Sequence, residues 1–179
     1  MEPAAPPGRL VGLPPVVGAG TRVLVLGSFP GAASLAARQY YGHARNQFWP
    51  ILAALWPQHP LPDRGHYAAR CDWLLARGLG LWDVYASCER RGSLDTSIRN
   101  AQVNDFAALR AQAPGLAAIA HNGGESYSHA RAVRASLEGG AAIASLRLPS
   151  TSPANASWSL DRKLQAWGET LAAFGLITN

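Results

Sequence analysis

Apolar positions along the chain fall into short continuous runs separated by helical stripes. Residues 22–26, Arg-Val-Leu-Val-Leu, form an apolar run stopped by Gly27, which predicts a strand buried on both faces. Residues 48–56 predict a helix with Pro50 in its first turn and Pro57 beyond its end, followed by a loop over 57–65. Tyr67, Cys71, Leu74 and Leu75 share one helical face that stops at Gly78, and residues 79–85 predict a second strand. A polar loop is expected over 87–103, then a helix opened by Asn104 as its N-cap and running through Phe106 and Leu109. Residues 116–120 and 142–148 predict a third and a fourth strand, with a helix over 126–137 between them. Ser159 is expected to cap a last helix whose stripe Leu160, Leu164, Trp167, Leu171 and Phe174 steps by 4, 3, 4 and 3, a core pattern.

Strands alternating with helices imply a parallel sheet covered on both faces, the architecture of an α/β sandwich. Residues 1–20 are rich in Pro and Gly and read as an extended arm, leaving 21–179 as a single domain. At 179 residues and 48% apolar content, the chain is large enough for one substantial core.

Composition narrows the chemistry. The formal charge of +5 at pH 7 favours an acidic partner, though modestly. Cys71 and Cys88 are the only cysteines, too few for an iron–sulfur cluster and wrongly spaced for zinc. No metal cluster or other cofactor is expected. Neither a secretory leader nor a membrane-spanning run is legible, so a cytoplasmic protein that does not engage membranes is expected, acting as a monomer.

Ligands of open parallel sheets bind at the carboxyl ends of the strands. The first strand is followed by Gly27-Ser28-Phe29-Pro30-Gly31, a turn able to present backbone N–H groups. It has neither the Gly-Lys-Ser/Thr of a phosphate loop nor a Gly-x-Gly-x-x-Gly fingerprint. Next comes Tyr40-Tyr41-Gly42-His43-Ala44-Arg45-Asn46-Gln47-Phe48-Trp49, dense in aromatics and amides, suited to holding a flat ring. A loop tucking its aromatics into the core would show the same composition. Asp83 ends the second strand, Asn122 follows the third, and Pro149-Ser150-Thr151-Ser152-Pro153-Ala154-Asn155 follows the fourth. Arg90, Arg91 and Arg99 are candidate contacts to a nucleic-acid backbone.

Together these segments resemble the hypoxanthine-DNA glycosylases, family six of the uracil-DNA glycosylase superfamily. The matching stretches are Leu26-Gly-Ser-Phe-Pro30, the decapeptide from Tyr40 to Trp49, Leu81-Trp-Asp-Val-Tyr-Ala-Ser-Cys88, Asn122-Gly123 and Leu148-Pro-Ser-Thr-Ser-Pro-Ala-Asn-Ala156. The resemblance implies a three-layer α/β/α sandwich on a short, mainly parallel four-stranded sheet. It further implies an enzyme that flips a deaminated base out of DNA and hydrolyses its bond to the sugar in base excision repair.

Most members of that superfamily carry an Asp or Asn where this chain has Phe29. The resemblance therefore places the catalytic side chain on Asn46, as an orienter of water. It places base binding on Gly27, Ser28, Phe29, Tyr41, Phe48, Asp83 and Asn122, with Phe48 as the stacking ring and Phe29, Tyr40 or Tyr41 closing the other side. DNA contacts fall on His43, Ser150, Ser152, Pro153 and Asn155. DNA containing deaminated bases is the expected partner, and hypoxanthine the preferred base. With its single lysine, Lys163, in the last helix, the chemistry is expected to be monofunctional. Three alternatives stay open: a uracil glycosylase of the same fold, a non-catalytic single-strand binder using the aromatics as platforms, and a small-molecule hydrolase.

Overall fold

A computed structural model describes residues 8–137 and 139–178; residues 1–7 of the expected arm lie outside it. The chain runs β1 (Arg9–Val11), β2 (Val23–Gly27), α1 (Ala32–Ala37), α2 (Phe48–Leu55), α3 (Tyr67–Ala76), β3 (Leu79–Asp83), β4 (Tyr85–Glu89), β5 (Arg99–Val103) and α4 (Leu109–Gln112). It continues through β6 (Ala118–Asn122), α5 (Gly124–Tyr127), α6 (Ala130–Ser136), β7 (Ala144–Leu148) and α7 (Leu160–Ala173).

Four strands form a sheet in the order β3-β2-β6-β7, with every neighbouring pair parallel. Alternation along β2 divides the core. Val23 and Val25 face one layer with Leu79, Leu81, Phe48, Leu52, Leu74 and Trp167, contributed by β3, α2, α3 and α7. Leu24 and Leu26 face the other layer with Phe106, Leu109, Val133 and Leu137. The result is the three-layer α/β/α sandwich with a four-stranded parallel sheet.

The region expected to be a polar loop over 87–103 is instead half strand. β4 pairs antiparallel with β5 on one side and with β1 on the other, so that part of the Pro/Gly-rich segment joins a second, three-stranded sheet. All five residues of β5, Arg-Asn-Ala-Gln-Val, are exposed, and the strand carries a positive φ at Asn100. An exposed edge strand has no apolar face, so it leaves no alternation in the sequence.

Two helical expectations also change. Asn104 is not a cap: its Nδ2 donates to the Asp83 carbonyl at 2.9 Å, and the helix shrinks to α4. The helix expected over 126–137 is split into α5 and α6 around Ser128 and His129. There the Ser128 hydroxyl donates to the Glu125 carbonyl, a local bond that competes with a continuous helix, while the Ser126 hydroxyl ties α5 to the Leu26 carbonyl of β2. Ser159 does cap α7, accepting the Arg162 amide at 3.2 Å. Leu164, Trp167, Leu171 and Phe174 of the expected stripe face the core. Leu160 is exposed, whereas Lys163 is buried and donates to Gln47 Oε1 at 2.8 Å.

Candidate active site

The carboxyl ends of the four parallel strands open into one cleft of about 890 Å³, within the size range of ligand sites. Register sets what lies at its floor: Gly27 at the end of β2 is opposite Asp83 at the end of β3, and Asn122 is opposite Leu148. A Cβ on Gly27 would lie 2.5 Å from Asp83 Oδ1, so only glycine lets the carboxylate sit against this backbone.

Asp83 is 5% exposed, and its Oδ2 has no hydrogen-bond partner among the described residues. Burial, reinforced by Asp95 and opposed by Arg90, pushes its carboxyl up to about 7. Near neutral pH the group is poised between an acceptor-only carboxylate and an acid that also donates. Such a state in a cleft is a feature of functional sites.

Asn46 lines the cleft on the decapeptide loop just before α2. Its Oδ1 accepts the Phe48 amide at 2.9 Å, which fixes the plane of the side chain. A carboxamide oxygen has two lone pairs, so a second acceptor position remains for water. The loop is also tied at Gln47, whose amide donates to the Thr151 carbonyl at 3.0 Å. His43 is exposed at the rim, its Nδ1 accepting the Arg45 amide at 3.0 Å.

Phe48, expected as the stacking ring, is fully buried, is not among the residues lining the cleft and packs edge-on against Trp49 and Trp167. Its ring instead stacks on Tyr41 with centroids 4.1 Å apart, and Tyr41 is the half-buried ring of this pair that reaches the cleft. Tyr41 adopts a φ of 55°, unusual for a bulky residue, and the stack on Phe48 together with its bond to Asn122 holds it there. Tyr40 is buried, with its hydroxyl donating to the Pro14 carbonyl at 2.8 Å. Phe29 lines the cleft but is only 7% exposed, beneath the Arg90 guanidinium.

Asn122 ties together three segments around the cleft. Its Nδ2 donates to the Tyr41 hydroxyl at 3.2 Å and to Thr151 Oγ1 at 3.0 Å, while Oδ1 accepts the Thr151 amide at 3.0 Å. The Thr151 amide can only donate, which fixes the orientation of the carboxamide. His121 beside it is fully buried, bonded through Nδ1 to the Ser126 hydroxyl, and burial lowers it to about 4.

The segment 149–155 is built by its own small polar side chains. Ser150 Oγ accepts the Ser152 amide, Ser152 Oγ accepts the Ala154 amide, and Asn155 Nδ2 donates to the Ser150 carbonyl. Ser150, Ser152, Pro153 and Asn155 all line the cleft. Gly123, with a φ of 99°, brings this loop close: a Cβ there would lie 3.1 Å from that of Ser150.

Arg90 is not a free backbone contact. It is buried, donating through Nη2 to the Pro30 carbonyl at 2.6 Å and through Nε to the Gly92 carbonyl at 2.9 Å. Ser28 donates its hydroxyl to Asp95 Oδ1 at 2.6 Å. Sequence reasoning missed Thr151 as the anchor of Asn122, the Ser28–Asp95 pair, and Leu94 and Trp158, which also line the cleft. Local pattern carries no sign of the first two, because their partners are remote in the chain. An isolated Leu within a polar Gly-Ser-Leu-Asp stretch was a visible signal for the third.

The chain is similar in sequence and in fold to known proteins. A family model described as the uracil DNA glycosylase superfamily matches residues 14–172. A protein of Methanosarcina barkeri named hypoxanthine DNA glycosylase is 36% identical over 124 residues, 69% of this chain and 77% of that protein. One of the same name from Methanosarcina acetivorans is 33% identical over 152 residues, 85% and 92% of the two chains. A solution NMR structure from Methanosarcina acetivorans, provisionally titled a uracil DNA glycosylase, superposes with a TM-score of 0.76 at 29% identity. It covers 93% of this chain, which in turn covers 99% of that one.

Proposed function

The chain belongs to the uracil DNA glycosylase superfamily, and we propose that it hydrolyses the bond between a deaminated base and deoxyribose in DNA, with hypoxanthine as the preferred base. The observation that carries this reading is the convergence on one cleft of Asn46, with an open lone pair, and Asp83, with an unpartnered carboxylate oxygen.

The reaction adds the oxygen of water to C1′ and breaks the C1′–N9 bond. The base leaves with the bonding pair and takes up one proton, and the sugar keeps a hydroxyl. Asn46 is neutral and cannot abstract a proton effectively. Its task is to hold water at C1′ as positive charge grows on the sugar, so the rate comes from placement and electrostatics. Tyr41, braced by Phe48 and Asn122, offers a face to the flipped base. The rim residues His43, Ser152, Pro153 and Asn155 hold the DNA backbone.

Asp83 reads the base. Hypoxanthine presents O6 as acceptor and N1–H as donor, and ionised Asp83 accepts from N1–H while a backbone N–H of the Gly27–Gly31 turn donates to O6. Adenine reverses both groups, and each mismatched buried polar contact costs about 1–3 kcal/mol. Uracil presents the same order through O4 and N3–H, so it is the competing substrate.

No lysine reaches the cleft lining, which favours monofunctional hydrolysis without strand cleavage. Among the described residues no helix is long and apolar enough to cross a membrane. We read the protein as a cytoplasmic monomer that meets its substrate on DNA. The reading is tested by incubating the protein with oligonucleotides bearing inosine, uracil, xanthine or adenine and then cleaving abasic sites with alkali. Release of hypoxanthine fastest, and of adenine slowest, is expected. Tight binding with no release from any of them would replace the enzyme with a single-strand binder.

A further inference from the structure

The loop after β4 contributes Ser93, Leu94, Asp95 and Thr96 to the cleft wall, in a place where the proposed reaction gives them no task. Leu94 is 55% exposed, although its backbone is pinned on both sides. Ser93 Oγ accepts the Ala32 amide at 2.9 Å, and Asp95 accepts the Ser28 hydroxyl at 2.6 Å. Upstream, Arg90 ties the same loop to the Pro30 carbonyl at 2.6 Å. Downstream, a short 3-10 turn, Asp95–Ser97, is closed by the Ser97 amide donating to the Leu94 carbonyl at 3.1 Å. A large apolar side chain therefore stands in solvent on a rigid mount at the mouth of a polar cleft. Scattered exposed leucines are ordinary, but this one lines the cleft and is flanked by two anchored residues.

Extracting a nucleotide from a duplex leaves a gap in the base stack, and proteins that distort DNA insert Leu, Ile, Met or Phe into such steps. The segment 149–155 offers only Ala154 as an exposed apolar side chain besides Pro153, too small to prop a base step. It follows β7, one edge strand of the parallel sheet, whereas the Leu94 loop follows β3 and β4 at the other edge. Building on the glycosylase reading, we propose that Leu94 is the wedge that enters the duplex beside the flipped nucleotide. The phosphate-gripping loop and the wedge then come from opposite edges of the sheet.

The test compares single-turnover base release from an inosine oligonucleotide, single-stranded and fully paired, for the parent protein, Leu94→Ala, Leu94→Phe and the control Val11→Ala. Val11 is an exposed apolar residue on the antiparallel sheet, away from the cleft. Leu94→Ala is expected to lower the duplex-to-single-strand rate ratio about ten-fold, while Leu94→Phe retains it, as insertion between base steps requires. An unchanged ratio, or an equal loss on both substrates, would overturn the wedge. A duplex carrying 2-aminopurine next to inosine separates the two ideas, since its fluorescence reports unstacking without bond cleavage. A rise with the parent protein that is absent with Leu94→Ala supports the wedge even if no base is released, the outcome that would defeat the glycosylase reading alone. The same rise with both proteins overturns the wedge.

Discussion

The two sheets of this molecule do different work, and the difference shows in their burial. β2 of the parallel sheet is completely buried, with helices on both faces, and its strand ends form the floor of the cleft. β5 of the antiparallel sheet is completely exposed, and that sheet leads into the loop forming one wall. Asp83, the proposed base reader, and Asn122 thus end strands of the deeply buried sheet. The loop that follows β4 of the antiparallel sheet carries only the proposed wedge, Leu94.

The sharpest way to break that comparison is to remove a core side chain behind the site. Trp167 is fully buried against Phe48, and Trp167→Ala is expected to cost about 3–5 kcal/mol in denaturant unfolding. A loss near zero would mean that the parallel layer is not the deeply buried one described above.

Asp83→Asn comes next. The carboxyl sits at about 7 in the folded protein against an ordinary 3.8, so the folded state holds the proton more tightly. Its stabilising protonation is fully present below pH 4 and is lost as pH rises through 7, a change on the order of 4 kcal/mol if the whole shift is expressed. Asp83→Asn should flatten the stability profile between those limits. If Asp83 reads the base as proposed, the same titration governs selectivity. Protonated Asp83 can donate as well as accept and so pairs with either hypoxanthine or adenine, whereas the carboxylate suits only N1–H. Preference for hypoxanthine over adenine should therefore rise between pH 6 and pH 8. A preference independent of pH would remove Asp83 from base reading.

Asn122→Ala should cost about 1–3 kcal/mol, since it strands the buried Thr151 amide, and should slow base release by loosening Tyr41. Smallest of all, Val103→Thr on the exposed strand should stay within about 0.5 kcal/mol in the same unfolding measurement.

What was legible in the sequence follows the same division. The four parallel strands are short apolar runs and could be placed within a few residues, and the strand-end rule brought Gly27, Asp83, Asn122 and Ser150 to one cleft. β5 reads as loop because an exposed strand carries no apolar period, whereas β4 is largely buried but places a serine and a glutamate among its five residues, which breaks the apolar run. The inward turn of Phe48 is not legible in the sequence, because composition reports that aromatics are present but not which way they face. Only the packing of α2 on α7 turns it inward, beneath Tyr41. The bracing bonds of Asn122 are not legible in the sequence because its partners lie 81 and 29 residues away. Asn46 was placed by resemblance, and the structure adds what local pattern could not: its fixed plane and the remaining lone pair.

The central claim is that Asn46 delivers water to C1′ in a cleft that binds damaged DNA without it. Single-turnover release from an inosine duplex, measured beside equilibrium binding, tests this directly. Asn46→Ala should slow release by about 10²–10³-fold, the scale of losing one positioned polar group at a transition state, while binding changes by less than about three-fold. Release at the parent rate from Asn46→Ala would contradict the account.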